Sequence, residues 1–159
     1  MANKNHAFMQ LAINEARKNL ELLNGGPFGA CIIKKGKILA LSRNTVIKNN
    51  DPTSHAELNA IKITTKKLKN FNLSGCKIYS TTEPCPMCFS AIHWAKIDKI
   101  YYGTKIDDVK KLGFNELAIK NTLMKKLGKS KVKIYPKFML KECKELLSDW
   151  KKLPTKIKY

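Results

Sequence analysis

Length, composition and charge already exclude several kinds of protein. The chain has 159 residues, 43% of them hydrophobic and 27% charged, which suits one globular domain with a single core. No apolar run approaches the roughly 20 residues that span a membrane, and the first residues lack the apolar segment of a signal peptide, so we expect a cytoplasmic protein with no membrane partner. Five cysteines, an odd number, argue against a disulfide framework in such a chain.

The hydrophobic pattern predicts one domain over residues 1–152, followed by a short polar tail over 153–159. The predicted elements, in chain order, are an amphipathic helix over 5–23, a β-hairpin over 28–42 that turns at Lys35-Gly36, a polar loop over 44–54, a helix over 56–68, a strand over 76–81, a helix over 86–95, a strand over 99–104, short helices over 107–127, a strand over 131–136 and an amphipathic helix over 139–150. This alternation is typical of an α/β sandwich with helices on both faces of a central sheet.

The formal net charge of +19 makes a nucleic-acid partner worth considering. Only Arg17 and Arg43 are arginine, however, although arginine is the usual residue for bidentate phosphate recognition. The lysines are spread along the whole chain. This distribution favours a solvated basic surface, and a dedicated nucleic-acid face stays open as the less favoured alternative.

Two short stretches carry residues that bind metals. Cys85 and Cys88 lie at the start of a predicted helix, where three steps of about 100° keep both sulfurs on one face and the helix dipole stabilises thiolates. His55 supplies a third ligand from the other stretch. Two cysteines and one histidine match a catalytic zinc site whose fourth position is left for water, so we expect one Zn²⁺ per chain.

Glu57 is the candidate general acid and base. Two thiolates cancel the charge of a zinc ion, which leaves the metal a weaker Lewis acid. A carboxylate is then needed to take a proton from water and return it to a leaving group. Because residues two apart point to nearly opposite sides of a helix, His55 is expected at or before the first turn, with Glu57 just inside it.

A lone C-x-x-C pair also occurs in redox proteins and structural zinc sites. A redox pair gives no role to His55 or Glu57, and a closed structural site needs a fourth ligand that only Cys31, Cys76 or Cys143 could supply. By contrast, H-x-E followed by P-C-x-x-C is the signature of zinc-dependent nucleobase deaminases.

On these motifs the chain resembles the cytidine and deoxycytidylate deaminase superfamily, and within it the bacterial guanine deaminases. The matching segments run along nearly the whole chain: GGPFGA (25–30), Asn44, NDPTSHAE (50–57), EPCPMC (83–88), AIHWA (91–95), Gly113-Phe114 and a C-terminal tyrosine. The resemblance implies a three-layer α/β/α sandwich around a five-stranded mixed sheet, in a homodimer. It also implies hydrolysis of guanine to xanthine and ammonia, a reaction of purine metabolism.

The resemblance further implies the residues that meet the substrate. Glu116 stands where guanine-specific members keep a second acidic residue, which contacts the base and assists proton transfer. The other implied contacts are the ring of Phe28 against the purine, the amide of Asn44 and the backbone of Ala56 on its edge, Trp94 in the pocket wall, and Tyr159 in a C-terminal segment that covers the active site of the partner subunit.

Three other functions stay open on the sequence alone. A tRNA adenosine deaminase uses the same zinc motifs on a flipped base and would suit the positive charge. A deaminase of guanosine, cytosine or another amino-heterocycle is a related small-molecule alternative. A non-catalytic zinc protein that binds RNA would keep the fold and the charge but would leave Glu57 without a role.

Overall fold

Five strands form one mixed sheet at the centre of the protein, which the computed structural model describes over residues 2–159. They are β1 (Gly29–Lys34), β2 (Lys37–Arg43), β3 (Cys76–Thr82), β4 (Lys99–Thr104) and β5 (Lys133–Tyr135). The spatial order is β2-β1-β3-β4-β5, with β1 antiparallel to β2 and β3, and with β3, β4 and β5 mutually parallel. The predicted five-stranded mixed sheet is confirmed.

Helices cover both faces of this sheet. They are α1 (Ala2–Arg17), α2 (Asn19–Leu22), α3 (Val46–Asn49), α4 (Ala56–Leu68), α5 (Pro86–Trp94), α6 (Ile106–Lys110), α7 (Asn121–Leu127) and α8 (Leu140–Lys151). Alternate residues of β1 separate two layers of core: Cys31 and Ile33 pack with α1, whereas Ala30 and Ile32 pack with α4 and α5. The three-layer α/β/α sandwich therefore follows from the two-residue period of the strands.

The structure differs from the predicted elements in three places. The first helix is interrupted at Lys18, because the chain turns to bury the side chain of Asn19, which donates to the carbonyls of Gly26 and Asn44, both at 2.8 Å. The predicted loop over 44–54 contains the short helix α3. Strand β5 has three residues instead of six, since it pairs with β4 only opposite Lys99–Tyr101.

The topology brings two helix N-termini together at one end of the sheet. Helix α4 begins just after His55, and α5 begins just after Cys85, three residues beyond the carboxyl end of β3. The two helices pack against each other on the same face of the sheet. The carboxyl ends of parallel strands are where α/β proteins usually bind ligands.

Within residues 2–159, no helix is both long and apolar enough to cross a bilayer.

Candidate metal centre and active site

His55, Cys85 and Cys88 form a three-residue cluster between the starts of α4 and α5. Their ligand atoms all lie within 4.8 Å of one another. His55 Nδ1 is 3.6 Å from the sulfur of Cys85 and 3.5 Å from that of Cys88. Both His55 and Cys85 occupy N-cap positions with extended backbone, so their side chains face the gap between the helices.

These distances fit a tetrahedral zinc ion. Zinc–sulfur bonds of about 2.3 Å and zinc–nitrogen bonds of about 2.0–2.1 Å, at tetrahedral angles, separate sulfur from nitrogen by about 3.6 Å. Both observed separations agree with that value. The chemistry of the donors agrees as well, because two thiolates and one imidazole are typical of zinc. The three residues could therefore hold the ion without rearrangement.

The three ligand side chains shift one another's pKa values. A hydrogen bond from Cys88, and then the bond and charge of His55, lower the pKa of Cys85 to about 4. The hydrogen bond with Cys85, together with burial, raises the pKa of Cys88. Burial would lower the pKa of His55, but its hydrogen bond to Cys85 and the nearby negative charges raise it. Metal binding would displace these protons, as at other thiolate sites.

Glu57 lies in the first turn of α4, two residues beyond His55, as the sequence predicts. The residue is only 3% exposed. Its Oε1 accepts a hydrogen bond of 2.8 Å from the hydroxyl of Ser80, and its Oε2 lies 3.5 Å from the sulfur of Cys88. Burial raises the pKa of this carboxyl group. A buried carboxyl held beside the metal ligands can take up a proton there and give it back.

A cavity of about 160 Å³ opens beside the metal cluster. Cavities of roughly 150 Å³ hold a single benzene molecule, so this space suits a planar aromatic ring. It brings together predicted site residues from five separate parts of the chain. The lining comprises Phe28, His55, Cys85, Pro86, Met87, Phe114, Asn115, Glu116, Leu117 and Tyr159.

Two buried polar atoms near this cavity have no hydrogen-bond partner: Asn44 Nδ2 and Glu116 Oε2. Glu116 lines the cavity, so its unpaired oxygen is available to a ligand there, whereas the amide of Asn44 also lies against the hydroxyl of Tyr159. Asn44 is held in place from its other side, since its Oδ1 accepts a 3.1 Å bond from the N–H of Val46. The Asn44 backbone N–H also donates to the carbonyl of Phe28, in the cavity wall, at 3.0 Å.

The pKa of Glu116 is raised to about 8. Burial is the main cause, and the nearby negative charges of Cys85 and Glu57 add to it. A divalent cation on the three ligands would offset the charge of the Cys85 thiolate and remove part of this rise.

Trp94 does not line the cavity of its own chain, and its predicted place in a pocket wall stays a prediction. It is the last residue of α5, whose first residue follows Cys85. Nine residues of helix separate Cys85 from Trp94 by about 13 Å, and Trp94 is 80% exposed.

Ala56 is fully buried, and its carbonyl accepts a 2.7 Å bond from the hydroxyl of Ser42. Its N–H, at the first position of α4, has no carbonyl partner within the helix.

The C-terminal segment folds back onto the site of its own chain. The hydroxyl of Tyr159 accepts a 3.0 Å hydrogen bond from the N–H of Gly26, and its carbonyl accepts a 3.2 Å bond from the N–H of Asn115. Its ring packs edge-on against Phe114 with a centroid distance of 5.3 Å, within the roughly 4.5–7 Å of aromatic pairs. The sequence analysis expects this segment in the site of a partner subunit, whereas in this single chain it covers the cavity beside its own His55.

Several supporting residues were missed at the level of sequence. Ser80 orients Glu57 from strand β3. Asn121, at the start of α7, donates a 2.6 Å bond to the carbonyl of Pro84, next to Cys85. The carboxylate of Glu83 accepts a 2.8 Å bond from the Asn121 N–H. A family motif marks Glu83, but no local pattern marks Ser80 or Asn121, because their partners lie 23 and 37 residues away.

Fold and site together define a class of protein: an α/β/α enzyme that combines a two-cysteine, one-histidine zinc site with a buried glutamate. The chain belongs to the family described as "Cytidine and deoxycytidylate deaminase zinc-binding region", whose pattern matches residues 2–104. Its membership confirms both the predicted family and zinc as its metal.

Relatives of two substrate classes are similar over nearly the whole chain. The guanine deaminase of Bacillus subtilis is 35% identical over 156 residues, 98% of this chain and 99% of the relative. A tRNA-specific adenosine deaminase of Buchnera aphidicola is 32% identical over 157 residues, 99% of this chain and 94% of that one. The solved guanine deaminase of Nitrosomonas europaea superposes with a TM-score of 0.85 at 25% identity, covering 93% of this chain and 85% of that one.

Proposed function

We propose that this zinc-type hydrolytic deaminase acts on guanine, releasing ammonia and leaving xanthine. The observation that carries the proposal is the unpaired oxygen Oε2 of Glu116 in the wall of a cavity sized for one aromatic base. A bound cation and the N–H groups of guanine would both favour the ionised form of Glu116, which accepts hydrogen bonds from that edge, and an amide N–H suits the carbonyl or ring nitrogens of guanine. On its six-membered ring, adenine offers a carboxylate only its exocyclic amine.

In this proposal each residue has a defined task. His55, Cys85 and Cys88 hold zinc, which when bound supplies the Lewis acidity that activates water. Glu57 takes the proton from that water and delivers it to the departing amine. Ser80 fixes the carboxyl group of Glu57 so that one oxygen keeps facing the metal ligands.

The remaining site residues bind and enclose the base. Phe28 and Phe114 meet edge to face at 5.0 Å and form an aromatic wall of the cavity. Asn44 and Glu116 would orient the base from its polar edges. Tyr159 closes the mouth, which excludes water and strengthens the electrostatic interactions inside.

A substrate panel tests the proposal directly. Purified protein is incubated with guanine, guanosine, adenine, adenosine, cytosine and cytidine, and ammonia release is measured. We expect guanine to give the highest kcat/KM. The Glu116→Gln variant replaces one acceptor oxygen by a donor, and a mismatched buried polar group costs about 1–3 kcal/mol, so kcat/KM for guanine should fall roughly 5- to 150-fold. If a zinc-loaded protein turned over none of these compounds and no tRNA stem-loop, a non-catalytic zinc protein would be favoured.

We also propose that residues 153–159 form a lid over the active site, in a homodimer. Deleting them should leave zinc content intact, raise KM for guanine and lower kcat. Complementation identifies the chain that each lid serves: Glu57→Gln and Tyr159→Ala variants are co-expressed and the mixed dimer is purified. Lids exchanged between subunits restore one complete site, whereas a lid that serves its own chain restores none.

A second candidate is deamination of adenosine in tRNA. It is favoured by the tRNA-specific adenosine deaminase among the relatives and by the net charge of +19. The test is incubation with a tRNA anticodon stem-loop, followed by detection of inosine. Inosine formation without turnover of free guanine would replace the guanine proposal.

A further inference from the structure

Glu83 is a buried carboxyl group that lies between the end of β3 and the metal ligand Cys85. Only 2% of the residue is exposed. A glutamate is almost never buried to this extent without a partner. Among the residues that the structure describes, however, no lysine, arginine or histidine forms an ion pair with Glu83. Its partners are backbone N–H groups of two other segments.

Each carboxyl oxygen of Glu83 accepts a hydrogen bond from the first residue of a helix. Oε1 accepts a 2.8 Å bond from the N–H of Asn121, where α7 begins. Oε2 accepts a longer bond, of 3.4 Å, from the N–H of Ile106, where α6 begins. The first N–H groups of a helix have no carbonyl partner within that helix. One side chain therefore holds the starts of two helices.

The chain between these two helices forms a wall of the cavity beside the metal ligands. Residues 111–120, called here the cavity segment, contain four residues of the lining: Phe114, Asn115, Glu116 and Leu117. Beyond the turn at 111–113 the segment has no regular structure, and in the described part of the chain only two N–H groups of residues 114–120 donate a hydrogen bond. Phe114 is packed in the core, but Glu116 lies beyond it, on the stretch that leads to α7. The position of Glu116 therefore depends on how the ends of the segment are held.

The same carboxyl group is tied to the metal ligands. Glu83 precedes Cys85 by two residues, and its own N–H donates a 2.8 Å bond to the carbonyl of Thr104, at the end of β4. The side chain of Asn121 donates a 2.6 Å bond to the carbonyl of Pro84. The start of α7 is thus bonded twice to the stretch 83–85, called here the metal loop, once through a backbone N–H and once through a side chain.

We propose that Glu83 is a positioning residue, which fixes Glu116 relative to Cys85 by joining both ends of the cavity segment to the metal loop. The inference rests on the proposed function only in taking Glu116 as a residue that binds the base. Reacting groups have to be held within about 0.5 Å of their productive geometry, and a misplacement of about 1 Å can cost roughly 10²-fold in rate. Hydrogen bonds to a carboxylate are stronger than those between neutral groups, so they resist such displacement.

Two substitutions of Glu83 test this role. Glu83→Gln keeps the size of the side chain but places an NH₂ group against a backbone N–H, donor against donor. Zinc content should be kept, because no ligand changes. For the compound of the substrate panel that the parent prefers, kcat/KM should fall roughly 10- to 100-fold. Glu83→Asp keeps the charge but is one methylene too short to reach both helix starts, so it should lose activity as well. Parent kinetics in Glu83→Asp would mean that negative charge alone suffices, and would overturn the proposal.

A double-mutant cycle with Glu116→Gln separates positioning from a general effect on stability. If Glu83 acts by placing Glu116, the two substitutions are coupled, and Glu83→Gln should cost at least roughly 5-fold less kcat/KM in the Glu116→Gln background than in the parent. Glu83→Asp enters the same cycle with the same expectation. Losses that multiply within roughly 2-fold in both cycles would show independent effects and would overturn the proposal.

The matched control removes a carboxylate from the start of the same helix. Asp108 also accepts a backbone hydrogen bond there, of 3.0 Å from the N–H of Lys105, but both partners belong to the start of α6 and not to the metal loop. Asp108→Asn should change kcat/KM by less than roughly 2-fold and add independently to Glu116→Gln. An equal loss in Asp108→Asn and Glu83→Gln would assign the effect to capping of α6, against the proposal.

Crystal structures of the zinc-loaded parent and Glu83→Gln proteins give a readout that needs no substrate. The distance between the Cα atoms of Cys85 and Glu116 should change by more than about 0.5 Å. A displaced Glu116 in a protein that turns over none of the panel would support the positioning role and overturn the proposed function. An unmoved Glu116 in a protein that deaminates guanine would overturn the positioning role and leave the proposed function intact.

Discussion

Replacing Glu57 by glutamine separates proton transfer from metal binding. The two side chains have the same size, and the Oε1 that accepts the 2.8 Å bond from Ser80 is kept. Glu57 is not one of the three clustered ligands, so the variant should bind zinc like the parent. Because at most one charge-assisted hydrogen bond becomes a neutral one, the free energy of unfolding should change by no more than about 1 kcal/mol.

Activity should respond very differently. A general acid and base contributes about 10²- to 10⁴-fold to the rate, and glutamine cannot exchange a proton, so kcat for guanine should fall by that factor. This corresponds to an increase of about 2.7–5.5 kcal/mol in the activation free energy. KM should change little, since the cavity wall does not include Glu57.

The assay measures zinc content, thermal unfolding and ammonia release on the same preparation. Glu21→Gln, an exposed substitution in α2, serves as the control for loss of a carboxylate elsewhere. A Glu57→Gln protein that keeps a tenth or more of the parent activity, roughly less than 1.4 kcal/mol of lost transition-state stabilisation, would refute the proposed role. Loss of zinc together with activity would instead make Glu57 part of the metal site.

Three further predictions concern the support of the site. Gly25→Ala should raise KM for guanine and lower the melting temperature of the protein. The added Cβ would collide with both the side-chain Oδ1 and the carbonyl oxygen of Asn44. Steady-state kinetics and thermal unfolding measure the two effects. Asn121→Ala should destabilise the fold by about 1–3 kcal/mol and weaken zinc binding, because the carbonyl of Pro84, next to Cys85, loses its hydrogen-bond donor. Competition with a chelator measures the change in zinc affinity. Removal of zinc by a chelator should abolish deamination, and added Zn²⁺ should restore it, whereas activity that survives in metal-free protein would exclude zinc.

Most of the secondary structure and the metal ligands could be predicted because the relevant patterns are local. The spacing of Cys85 and Cys88 places both sulfurs on the same face of one helix start. His55 must precede α4, because residues two apart within a helix point to opposite sides, and both His55 and Glu57 have to face the metal. The strands were predicted for the same reason, since each is a short run of alternating or buried apolar residues.

The break of the first helix at Lys18 could not be predicted, because its cause is tertiary. The apolar periodicity continues across the break, and only the bonds from Asn19 to the carbonyls of Gly26 and Asn44 explain why the chain turns there. Trp94 lies away from the cavity of its own chain for a related reason. A motif shared with a family identifies the residue, but its distance from the site depends on the length and direction of α5.

The sequence by itself determined the composition of the active site: which side chains carry sulfur, imidazole and carboxylate, and on which helix starts they lie. Only the tertiary structure decided how that site is supported and enclosed. Ser80 reaches Glu57 from 23 residues away and Tyr159 reaches Gly26 from 133 residues away. The physical reason is that helix and strand periodicities are set by neighbouring residues, whereas contacts between distant segments depend on how the layers pack around the sheet.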